Sequence, residues 1–264
     1  MGKALAAAGV IIVGAATTLV TGIAEGAATW VVGRLPASET SSTSGPPGLS
    51  PEPLTVAVTT DIGNAGDRFA LASKLTDGPA AVALMAGDPN DSWPAFLDEH
   101  GGAPVGSLAV KMVFTGQRDP QVRVTDIQVS RAENRPVLNG SVIELSIQGE
   151  AESIKMSANL DEARPRIFGE DGKPYFSSGG NIDLKKGEQQ TLQLTLTAEE
   201  RFHRWSFVID YVDEEGQPQR VFVDRLGRIS RSAPTSELFT LTGPANGYGT
   251  TWVENFPFEG FRQR

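Results

Sequence analysis

A period of two limits this chain most. Leu192, Leu194 and Leu196 alternate strictly with Thr191, Gln193 and Thr195, and Trp205, Phe207, Ile209 and Tyr211 follow in the same period. Successive strand side chains point to opposite faces, so such a run buries one face and wets the other. The same texture runs from Leu54 to about Leu241. Leu54–Thr60 reads as a first strand, and Phe69–Leu75 and Ala80–Met85 as weaker ones. Further candidates are Leu108, Val110, Met112 and Phe114; then Ile143, Leu145 and Ile147; then Ile154, Met156 and Ala158. Val122 and Val124 are followed by Ile127 and Val129, so the phase slips near Asp126, which predicts a β-bulge. Glu215-Gly216 turns the chain into Arg220–Asp224 as a hairpin. One short helix is expected over Ser92–His100, capped by Asp91 or Ser92 and stopped by Gly101-Gly102. About eight to ten strands with Gly, Pro and Asp between them predict a mainly β chain. The expected architecture is an antiparallel β-sandwich with one short helix, compatible with an immunoglobulin-like arrangement.

The N-terminal part differs. Between Ala4 and Val32 the only charged side chain is Glu25. Residues 4–23 would span about 30 Å as a helix, the thickness of a bilayer's hydrocarbon core. Residues 1–35 are therefore expected to be a single-pass transmembrane anchor. Trp30 would lie near the far interface, and Lys3 would keep the N-terminus cytoplasmic. The alternatives are a secretory signal peptide cleaved after a small-x-small site such as Ala24-Glu25-Gly26, which would leave a secreted protein, and a buried or interfacial helix. Gly22 and Gly26 have the spacing of a helix–helix contact, a spacing that an Ala/Gly-rich segment also produces by chance. Residues 36–53, rich in Ser, Pro and Gly, read as a disordered tether. Residues 54–264 then form the extracytoplasmic β domain.

Composition excludes more chemistry than it suggests. The net charge of −9 argues against nucleic acid as a partner, because phosphate binding needs a basic surface. With no cysteine, disulfides, thiolate catalysis and Cys-based zinc sites are ruled out. Neither of the two histidines, His100 and His203, has triad or zinc spacing to an acid or nucleophile, and both read as surface or capping residues. Asp88-Pro89-Asn90-Asp91 and Asp210 with Asp213, Glu214 and Glu215 offer oxygen ligands but not the spacing of a calcium loop. No serine motif or phosphate loop is present in the sequence, so no catalytic residue, metal or cofactor is assigned.

The last 26 residues hold six of the nineteen aromatics: Phe239, Tyr248, Trp252, Phe256, Phe258 and Phe261. Tyr248, Trp252, Phe256, Phe258 and Phe261 are the candidate interaction surface, since exposed aromatics bind sugars and proteins well. The competing reading makes them a lid over the open end of the core.

Several stretches carry a resemblance. Trp93, Gly101-Gly102, Leu108–Gly116, Val122–Arg131 and Leu184–Glu188, with Trp205–Tyr211 and Asp224–Arg231, resemble a group of actinobacterial membrane-anchored proteins with an exported β-rich domain. The resemblance implies the anchor-plus-exported-domain layout and supplies no functional residues, because no activity is established for the group. The expected function is a membrane-anchored cell-surface interaction module, not an enzyme, whose partner is a protein or an envelope glycan. Two other readings stay open: a hydrolase of envelope polymers using carboxylates that the sequence does not identify, and an adaptor subunit of a membrane complex contacting it through Gly22 and Gly26.

Overall fold

The chain is mainly β, as the alternation predicts. The computed structural model describes residues 52–64, 66–87, 92–146, 156–255 and 260–264. The expected anchor, with Gly22 and Gly26, lies outside them, as do Phe256 and Phe258. Among the described residues no helix is long and apolar enough to cross a membrane.

The first sheet runs β1 (Leu54–Asp61), β4 (Ser107–Gly116), β10 (Gln189–Thr197), β7 (Met156–Asn159) and β8 (Phe168–Gly169). The second runs β13 (Ile229–Ser230), β12 (Pro218–Val223), β11 (Arg201–Val212), β5 (Val122–Pro136) and β9 (Ile182–Leu184). Beyond the end of β12, β14 (Phe239–Thr242) also pairs with β11. Inward residues of both sheets meet in one core, where Val110, Met112, Phe114, Leu192, Leu194 and Leu196 pack with Val124, Ile127, Trp205, Phe207, Ile209 and Tyr211. The predicted phase of β11 holds, since its four large apolar residues are at most 1% exposed.

The third sheet is β16 (Phe261–Gln263), β15 (Thr250–Glu254), β6 (Ser141–Glu144), β2 (Arg68–Leu71) and β3 (Ala103–Pro104). Two helices, α1 (Gly78–Ala86) and α2 (Trp93–Glu99), share a second core with it, containing Phe69, Leu84, Phe96, Ile143, Trp252 and Phe261.

Helix α2 matches expectation. The Ser92 hydroxyl accepts from the Ala95 N–H at 3.3 Å, and Pro94 sits in the first turn. Helix α1 is a correction, because Ala80–Met85 reads as a weak strand, and beyond the N-terminal segment two α-helices are found among the described residues where one is expected. The run is uniformly apolar and has no phase to read. Pro79 suits the first turn and Gly87 closes the helix in the left-handed region. The sheets are also not purely antiparallel: β10 pairs β7 in parallel, and β15 pairs β6 in parallel. Both pairings join strands far apart in sequence, which local patterning does not encode.

Candidate functional site

Strand β5, with 15 residues the longest among the described residues, builds the site. It pairs with β11 from Arg123 to Pro136, with two irregularities. Asp126 faces Asp210 while Val124 faces Tyr211, so Thr125 is an extra residue, and its hydroxyl donates to the Asp210 carbonyl at 3.2 Å. Glu133 faces Arg204 while Arg131 faces Trp205, which makes Ala132 a second extra residue. The first bulge lies where the phase slip predicts it. On its other side β5 pairs with β9 only over Val122–Val124. From Asp126 onward that edge has no strand partner among the described residues.

A groove of about 770 Å³ runs along this free edge. Asp126, Ile127, Gln128, Val129 and Arg131 line one wall, and Ala163–Ile167 with Pro174, Phe176 and Ser177 line the other. Arg164 and Arg166, flanking Pro165, are exposed, and neither has an ion-pair partner among the described residues. The Arg131 guanidinium donates from Nη2 to the carbonyls of Leu160 and Glu162, which fastens the opposite wall to β5. Its Nε is buried without a partner among the described residues. Asp126 is the one carboxylate among the described lining residues, held by Gln128 Nε2 at 2.7 Å. Three guanidiniums against one carboxylate make the groove cationic in a chain of net charge −9.

The wall is anchored from behind by His203. This side chain is fully buried, whereas the sequence reading puts it at the surface or in a cap. Its Nε2–H donates to Asp161 Oδ1 at 2.8 Å. Asp161 Oδ2 accepts from the N–H groups of Glu199 and Glu200 at 2.6 and 3.0 Å. Burial pulls the Asp161 pKa upward, but the two backbone donors and His203 outweigh it and hold the carboxyl below its ordinary value. Among the described residues no nucleophile bonds to this pair, and the His203 side chain is fully buried. The pair therefore fixes Leu160–Glu162, whose carbonyls Arg131 engages.

The other sequence candidates lie elsewhere. Trp252 is 2% exposed, with its indole N–H donating to the Leu75 carbonyl at 3.1 Å, and Phe261 is 8% exposed and packs edge-on against Trp93. Both belong to the second core, with the third sheet and the two helices, and not to the core of the two facing sheets. Tyr248 is half-buried, its hydroxyl accepting from the Ala245 N–H. Asp210 is taken up by Arg220 at 2.6 and 2.8 Å, and Asp213 closes the β11–β12 turn by accepting from the Gln217 N–H. Among the described residues no three His, Asp or Glu side chains converge as a metal site.

Sequence reading misses the groove. Its one local signal is Arg164-Pro165-Arg166, two cations around a turn residue in an acidic chain. Comparison with protein-family models, curated proteins and solved structures finds no match for this chain.

Proposed function

We propose that this chain is a membrane-anchored, extracytoplasmic interaction module that binds an anionic partner in the groove beside β5. The apolar run of residues 4–32 and the tether of residues 36–53 support the display of the domain away from a bilayer. An immunoglobulin-like sandwich is the architecture we favour for the two sheets that share a core, since such scaffolds carry binding sites on their edges and loops.

One observation carries the binding reading: Arg131, Arg164 and Arg166 line one groove of an acidic protein. Planar guanidiniums suit carboxylates and phosphates, with two parallel donors for each anion. The acidic remainder of the surface repels the same ligand, so encounter is focused on the groove. A polymer bearing carboxylates or phosphates, whether protein or glycan, fits this pattern.

The test uses the Arg164→Ala, Arg166→Ala double variant of the full chain and short polyglutamate as the probe. Both side chains are exposed, so the melting temperature should not change. Affinity should fall by about ten-fold or more, and the wild-type affinity should weaken with added salt. Unchanged affinity in the double variant would overturn the assignment.

A further inference from the structure

We infer that the free edge of β5 between its two bulges takes up an extended acidic peptide of a partner protein as an added strand. The inference rests on the anionic-partner reading and names the ligand class. In an antiparallel pair, alternate residues spend their N–H and C=O groups on the neighbouring strand, and the residues between them point theirs the other way. Along Asp126–Arg131 that other way is the groove. No described backbone or side-chain group bonds to the main chain of these residues from the groove side. The stretch is about 20 Å of strand, enough to pair a short peptide.

Its ends are marked by the extra residues Thr125 and Ala132, a device that bends a strand and sets it off from its neighbours. The opposite wall keeps this edge in a groove instead of on a flat face, and it supplies Arg164 and Arg166 beside Arg131. A strand laid here would present every second side chain to these cations, so alternating carboxylates match it.

A main-chain edge offers donors and acceptors at peptide spacing, which favours a polypeptide over a glycan. A second copy of this chain is disfavoured on charge. Edge-to-edge pairing of two β5 strands about a two-fold axis would bring the arginines of both copies together.

The experiment titrates the full chain with a fluorescent peptide of about nine residues alternating Glu and Thr. A second peptide is identical in charge but N-methylated at alternate amides on one edge. The first peptide should bind and slow amide exchange over Asp126–Arg131. The methylated peptide should bind about ten-fold or more weakly, as expected for the loss of two or so backbone hydrogen bonds. Equal binding of the two overturns the added strand but leaves the anion groove standing. Failure of both peptides, together with failure of polyglutamate, overturns the groove itself. Dimerisation that protects the same amides without peptide would assign the edge to a second copy and overturn the inference.

Discussion

At the scale of single residues, the groove depends on Asp161. Its carboxylate collects two backbone N–H groups and the buried His203, and its neighbours' carbonyls receive Arg131. Its pKa is lowered in the fold from the ordinary 3.8. A carboxyl with a depressed folded value contributes stability above its unfolded pKa and loses it as the pH falls through the folded one. Asp161→Asn keeps the shape but not the charge. Above pH 3.8 the wild type should be more stable than Asp161→Asn by about 2 kcal/mol, the order expected for hydrogen bonds to a charged group. Below that value the gap should close. Chemical denaturation across the acid range measures it, and a gap that stays constant with pH would mean that the charge contributes nothing. The aromatic residues of the tail show the opposite economy. Trp252 and Phe261 spend their area on the second core, where Trp252 also holds the Leu75 carbonyl.

At the scale of elements, free strand edges explain much of the design. An open edge invites pairing with other chains, and native folds usually cover it. β1 is an edge strand, and the turn after β12 leans onto it: a Cβ placed on Gly227 would stand 2.5 Å from the Val56 carbonyl oxygen. Gly227 also has φ of 78°. Gly216 has the same φ with open space around it, and so provides the control. Gly216→Ala should cost about 1–2 kcal/mol, the conformational penalty alone. Gly227→Ala should cost clearly more, because the turn must lift off β1. Equal losses in thermal unfolding would mean that the close approach carries no energy. Against this covering of β1, β5 from Asp126 to Arg131 has no partner on its groove side among the described residues, and the added-strand inference builds on that contrast.

At the scale of the whole molecule, the sequence made the two-sheet core legible wherever apolar residues alternate. The four large apolar residues of β11 and the Leu192–Leu196 alternation each keep one phase throughout. The first bulge was readable because Val124 and Ile127 bracket it with apolar side chains. The second was not, since Ser130, Arg131, Ala132, Glu133, Asn134 and Arg135 offer no apolar phase to slip. Helix α1 reads as a weak strand for a related reason: Ala80–Met85 is apolar at every position and offers no phase. The groove was illegible because it is assembled from distant stretches. His203 meets Asp161 across 42 residues of sequence, and Arg131 meets Leu160 across 29. Such pairings follow from sheet order, which local periodicity does not specify.

The most direct test of the groove as the binding site is hydrogen exchange of the full chain with and without polyglutamate. Binding there predicts slowed amides in Asp126–Arg131 and Ala163–Ile167, with the Tyr248–Glu254 segment unchanged. Slowing confined to Tyr248–Glu254, with the groove amides unaffected, would contradict the account and return the binding role to the aromatic tail.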